Sequence, residues 1–467
     1  MDEFYTGVGG LHKTQEDFIN GGADIFAPTQ VDKACIGNTE AVYFPTNETT
    51  DGPFLFYLPG ETDTYIDPQT FRLSGYTSIR KISATGTLED LTANDKVAPI
   101  NFLPGMAFQS KQFDINGHSV NYITQPLENY KAYMETLLSY GSDTKNTILK
   151  TCANWYQDEP DDMDKFESTT KKLVGMALDM KSTVMETVPN AWNKRQALWA
   201  ESKRVPFSIP LQMDVLSTDR FLPRNINVTI KLTKVRDEFL FTTNDGSDYR
   251  VLFHNLKLTV NRIKILPELI NEHERKLAAG QLARFPYTRT DCKFVTIAQG
   301  ETSFRTHNIF RKVLPNSAIV FFLKSAALTG SKKLNPLNFQ NFGIQKLYCL
   351  KKGQEMPPNG YTQDYENNDF TETYRRVFDE IGIRTNTIGI NLTAEQFKDG
   401  YNFYAFDFAP DKCASFHSHT TDSGGIDFGV VFKKATTTTI SMIILCQYDD
   451  EFKLDVHRNV IGSREDE

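Results

Sequence analysis

Two histidines spaced one residue apart are the first place to look for chemistry, and this chain has one such pair in CASFHSH, at His417 and His419. On a strand, both imidazoles would project from one face, the way a β-sandwich metalloenzyme holds a transition metal. Cys413 and Asp422 stand nearby as further ligands. Such a site also needs a third histidine or a carboxylate from adjacent strands, with partners that fix the imidazoles. His12, His118, His254, His273, His307 and His457 are isolated in unrelated contexts. HSHTTDSGG reads equally well as a polar, glycine-ended loop, so no metal ligand is assigned, and a metal enzyme using Cys413, His417 and His419 stands as the alternative. No G-x-S-x-G elbow, Walker loop or H-E-x-x-H motif is present. The acid pairs Asp161-Asp162 and Asp449-Asp450 read as a helix approach and a tight turn. Lys351-Lys352 and SKK after Gly330 read as solvated loops, and Trp155, Trp192 and Trp199 as packing residues. No catalytic residue, cofactor site or metal site is predicted.

With no site to position, the elements themselves carry the information. Around Phe113 and Ile115 the chain alternates apolar and polar residues and then reads Asn116-Gly117. That pair suits a type I′ turn, which needs positive φ at both central residues. A helix follows, with Tyr130, Tyr133, Met134, Leu137 and Leu138 on one stripe and Gly141 placed to close it in the left-handed conformation.

The same order recurs. APINF at 98–102 corresponds to NPLNF at 335–339; the turn glycines Gly117 and Gly353 follow Asn101 and Asn338 by 16 and 15 residues. YKAYMETLL from Tyr130 then corresponds to YRRVFDEIG from Tyr374, with Phe370, Tyr374, Val377, Phe378 and Ile381 on its stripe. The chain therefore reads as two copies of one β domain, each with a helix laid on it after a hairpin. Many short strands with regular turn signals indicate jelly-roll sandwiches. The expected fold is mainly β: two tandem antiparallel jelly rolls with short helices and one helical insertion.

The expected division is an arm at 1–50, a first jelly roll at 51–235, a second at 236–458, and a charged tail at 459–467. An insertion at 157–204 is expected to be the most helical part, with Leu173, Met176, Ala177, Met180 and Val184 on one stripe. Pro267 and Gly280 bracket a further helix. At 467 residues with 34 Phe and 19 Tyr, two sizeable sheet cores are affordable. No eighteen-residue apolar run exists, and the acidic start MDEFYTGVGG lacks a secretory apolar core. Six scattered cysteines without a C-x-x-C pair suit a reducing compartment, cytoplasm or nucleus. A net charge of −8 argues against a surface that grips nucleic acid by neutralising phosphates.

Particular blocks resemble a known family. FLFYLPGETDTYIDPQTFRL, VAPINFLPGMAFQSKQFDINGHSV, PFSIPLQMDVLSTDRFLPRNINVTIKL, VLPNSAIVFFLKSAALTGSKKLNPLNFQNFGIQKL and FKDGYNFYAFDFAPD are similar, in order, to blocks of the major capsid proteins of Polinton (Maverick) elements and adintoviruses. The resemblance implies a double jelly-roll protein of the adenovirus–tectivirus lineage and no enzyme. It implies homotrimeric, hexon-like capsomers that tile an icosahedral shell around double-stranded DNA. The partners it implies are neighbouring capsomers, penton and minor capsid proteins, with no sequence-specific nucleic-acid contact and no membrane span. A domesticated homologue that no longer assembles would carry the same sequence constraints.

Overall fold

The computed structural model describes residues 33–47, 49–121, 125–166, 169–176, 183–307, 309–310, 313–382, 392–410, 412 and 423–461. In the first copy the main strands are β1 (Cys35–Tyr43), β2 (Phe54–Leu58), β3 (Arg72–Ile82), β4 (Phe108–Ile115) and β5 (His118–Ser119). Helix α1 (Glu128–Ser139) and helix α2 (Ala191–Trp199) come next, then β6 (Val205–Pro210), β7 (Val228–Lys234) and β8 (Asp248–Ile265). Helix α3 (Pro267–Ala278) leads into the second copy. There the strands are β9 (Ala283–Ile297), β10 (Ser303–Arg305), β11 (Ser317–Lys324), β12 (Ile344–Lys351) and β13 (Gln354–Thr362). Helix α4 (Thr371–Glu380) precedes β14 (Phe403–Asp407), β15 (Ile426–Phe432) and β16 (Ile440–Leu454).

Pairing establishes the duplication. The first copy has sheets β1-β8-β3-β6 and β2-β7-β4-β5; the second has β9-β16-β11-β14 and β10-β15-β12-β13. In each copy, strands one, eight, three and six form one sheet and strands two, seven, four and five the other. That is a jelly roll, built twice, with every pairing along these paths antiparallel. Side-chain alternation shows why the sheets face each other. Phe54, Phe56 and Leu58 of β2 point inward while Leu55 and Tyr57 point out, and Ile426, Phe428, Val430 and Phe432 of β15 do the same inward work in the second copy. One continuous apolar core runs through both sandwiches.

The repeated turn adopts the expected geometry. Asn116 and Gly117 have φ of 49° and 85°, and Lys352 and Gly353 have 52° and 83°. A Cβ at Gly117 would meet nothing within 4 Å, so its requirement is one of backbone conformation alone. Gly117→Val should therefore cost roughly 1–2 kcal/mol, the penalty for a branched residue in the left-handed region. A urea midpoint unchanged from wild type would refute that.

Several expectations need correction. The insertion is a hairpin, not a helix: Thr169–Met176 pairs antiparallel with Thr183–Pro189, and α2 follows. Leu173, Met176 and Val184 lie on its strands; Ala177 and Met180 fall outside the described residues. The helical spacing was outweighed by threonines and valines at both ends, whose branched Cβ atoms favour a pleated strand. The division between copies falls at α3 rather than between 235 and 236, because β8 pairs with both β1 and β3 of the first copy. Residues 35–43, assigned to the arm, are the first strand of that sheet. Residues 1–32 and 462–467 lie outside the described residues. Val460 and Ile461, assigned to the tail, pair with β16. Asp449 and Asp450 stand inside β16, not in a turn, opposite Thr288 and Tyr287. Gly141 has φ of −75° and begins the next short helix instead of closing α1. Helix α3 keeps its expected bounds, with Pro267 at its start and Gly280, at φ 85°, just past its end.

Candidate assembly site

Cys413, His417, His419 and Asp422 lie outside the described residues, so that cluster is not placed. Among the described residues no group of three His, Cys, Asp or Glu could hold a metal. Their histidines act singly: His273 Nδ1 bonds the Tyr65 hydroxyl at 3.1 Å, and His254 Nε2 bonds the Ser78 hydroxyl at 2.8 Å. None of the five described cysteines is in a disulfide. Burial pushes the thiols of Cys292, Cys349 and Cys446 up, which keeps them inert. Trp155, Trp192 and Trp199 are buried, in packing roles as expected.

The organised chemistry lies where the two copies meet. Helix α1 presents Tyr130 to Phe321 and Phe339 of the second copy, with ring centroids 5.8 and 6.3 Å away. The Tyr130 hydroxyl donates to Pro336 O at 3.2 Å. Behind it, the two P-x-N-F turns do matching work. Asn101 Oδ1 accepts from the Tyr156 N–H at 2.7 Å, and Asn338 Nδ2 donates to Asp164 at 2.9 Å. Asn335 Nδ2 donates to Asp158 at 3.1 Å, and its N–H donates to Asp164 at 2.8 Å. Asp158 is buried, and desolvation pushes its carboxyl up despite the guanidinium of Arg195 beside it. Arg195 donates to Asp158 at 2.9 Å and to the carbonyls of Pro99 and Tyr156 at 2.7 Å each. The Tyr401 hydroxyl closes the network on Asp158 O at 2.7 Å.

A second polar cluster sits beside α1. The Lys111 N–H donates to Glu128 at 2.6 Å, and its ammonium donates to Gln212 O at 2.9 Å. Lys131 pairs with Asp214, whose other oxygen accepts from Thr290 N–H of β9 at 2.9 Å. Burial pushes Glu128 up to about 7, Lys111 and Lys131 opposing the rise, and pulls Lys111 down to about 8. The neutral form of Glu128 is thus favoured by folding. Its contribution is full below the ordinary carboxylate pKa and is lost as pH rises through about 7. Relative to Glu128→Gln, the wild type should lose stability between about pH 4.5 and 7, by at most about 1.4 kcal/mol per pH unit for one proton. Parallel stability curves for the two proteins over that window would refute this.

The flanks of the two copies differ in what covers them. In the second copy the sixth strand is shielded: β14 is buried throughout, and Asp407 N–H on it donates to Glu380 of α4 at 2.7 Å, whereas β6 of the first copy buries only alternate residues. The first strands are not. β1 and β9 each pair on one side only among the described strands. β1 is open on both faces, with Ile36 58% and Val42 45% exposed, and Phe44 just beyond it is 65% exposed. The Pro45–Phe56 bridge sets exposed Leu55 and Tyr57 alongside. On β9 Phe294 is exposed, and Leu282 just ahead of it. An open edge carrying apolar side chains is a template for another chain.

No protein-family model matches the sequence. The Caenorhabditis elegans uncharacterized protein F54H12.2 is 21% identical over 444 residues, 92% of this chain and 98% of that one. Solved viral structures align along nearly the whole chain. A chain of the Sputnik virophage cryo-EM structure has a TM-score of 0.59 at 12% identity, covering 97% of this chain and 92% of that one. PBCV-1 VP54 gives 0.58 at 9%, covering 94% and 100%, and the Faustovirus major capsid protein 0.53 at 11%, covering 91% and 92%.

The fold is the double jelly roll of viral capsid proteins. Within the double jelly roll, the bonds of Asn335 and Tyr401 to Asp158 and of Thr290 to Asp214 link the two rolls through these two clusters, while β1 and β9 are left as open edges among the described strands. Sequence reasoning missed both clusters. For Arg195 a signal existed: it stands three residues after Trp192 and four before Trp199, on the buried stripe of α2. For Lys111 no local pattern distinguishes a buried lysine on β4 from a solvated one.

Proposed function

We propose that this chain is a capsid building block and not an enzyme: a major capsid protein that forms pseudo-hexagonal homotrimers tiling an icosahedral shell around double-stranded DNA. The observation that carries this is the exact repetition of strand order in two sandwiches fused through α3, combined with open first-strand edges. Three copies of such a chain present six jelly rolls, which supplies near-sixfold outlines from a threefold trimer. Likeness to capsid chains over nine-tenths of the length or more supports the same reading. The finer assignment, to Polinton-type elements and adintoviruses, rests on the sequence blocks quoted above. Its partners would be like capsomers, penton and minor capsid proteins, and its place the virion, after synthesis in the host cytoplasm or nucleus.

Light scattering behind size exclusion, with negative-stain imaging of each peak, tests the proposal. The expected species is three times the 53.1 kDa chain mass, or closed shells. A protein that stays monomeric at high concentration would overturn it.

A further inference from the structure

The chain is acidic, with net charge −8, yet one cavity gathers positive charge. Lys145, on the short helix Ser142–Asn146 after α1, is only 3% exposed. Its ammonium donates to Leu137 O at 2.7 Å and stands 5.9 Å from the centre of the Trp155 ring. The carbonyl, near the end of α1, accounts for one of three donors. No carboxylate among the described residues pairs with it, and desolvation draws its pKa down to about 8. A buried ammonium without a countercharge is costly, which is a reason to ask what it faces.

Lys145 lines a cavity of about 290 Å³, whose wall also carries Trp155, Lys150 and Lys194. Asn190 and Ala191, the start of the nine-residue α2, line the same space and bring the positive end of a helix dipole to it. Asp158 and Glu159 are in the wall as well; Arg195, at 2.9 Å, answers the charge of Asp158, and the Glu159 carboxylate offsets one of the three lysine charges, which leaves the wall net positive. Gln396 closes the wall from the second copy. The volume takes a phosphate-sized ion with a few waters and is too small for a duplex.

We infer that Lys145, with Lys150, Lys194 and the α2 N-terminus, forms a binding site for a small phosphate-like oxyanion that ties the first jelly roll to the second. This holds whether or not the chain assembles into shells. Thermal unfolding of the full chain at matched ionic strength, in chloride against phosphate or pyrophosphate, tests it. The expected result is a saturable rise in Tm for the wild type, absent in Lys145→Met and shifted to higher concentration in Lys150→Gln. An equal rise in Lys145→Met, meaning an adventitious ion only, or no saturable rise in the wild type, would overturn the site. Should Lys145→Met fail to fold, calorimetric titration of the wild type decides: one pyrophosphate per chain, weakening as pH passes 8, supports the site, and any other result overturns it. Displacement of pyrophosphate by a short single-stranded oligonucleotide would identify a nucleic-acid phosphate as the source; no displacement would identify the free ion.

Discussion

Arg195→Met should lower the stability of the folded chain by about 3–5 kcal/mol, the usual loss when one partner of a buried ion pair is removed. The size follows from what remains behind. Asp158 stays buried, desolvation already opposes its charge, and Asn335, at 3.1 Å, is left as a side-chain donor to it. Two carbonyls, Pro99 O and Tyr156 O, lose the donors that stand at 2.7 Å. Methionine fills much of the volume, so the deficit is electrostatic rather than a cavity. The double variant Arg195→Met, Asp158→Asn should then recover a large share, because the uncompensated charge is gone. Urea unfolding of the three proteins measures it. A loss below about 1 kcal/mol in the single variant, in the range of an exposed pair, would show that the network does not hold the rolls together.

That network could not have been read from the sequence in full, and the reason is physical. Turns announce themselves because positive φ restricts residue choice locally, which is why Asn116-Gly117 and the second copy's Gly353 were legible together with the helices behind them. The duplication followed from those local signals. Asn101 and Asn338 were noticed as marks of the repeat, but their work is done on Tyr156 and Asp164, far along the chain. Where local preference conflicts with tertiary pairing, the sequence misled. The Leu173–Val184 spacing fits a helix, yet strand pairing across Met176 and Thr183 decides the outcome. Strand β8 reads as part of the second copy because nothing local says that its partners lie 166 to 187 residues upstream, at Arg72–Ile82. The sequence itself assigns no catalytic residue. Its one open candidate, His417 and His419, lies outside the described residues.

Placing charge on the open flank should abolish association while leaving the chain folded. Val42→Lys with Phe44→Glu changes two side chains that are 45% and 65% exposed, so each should alter the folding free energy by no more than about 0.5 kcal/mol. At an interface the same charges would be desolvated beside Leu55 and Tyr57, with no partner built to receive them. Lysine on an open edge is also the means by which sheet proteins avoid pairing with one another. Light scattering should therefore give the 53.1 kDa chain mass for the variant under conditions where the wild type forms trimers. Matching urea midpoints for variant and wild-type monomer would show that the fold is intact. The contrast isolates the flank: Lys398→Glu, on the polar side of the second roll near Asn368, should leave the trimer unchanged. If the double variant assembles like the wild type, the β1 flank is not an assembly face, and the β9 edge, with exposed Phe294 on it and Leu282 just ahead of it, is the next to test.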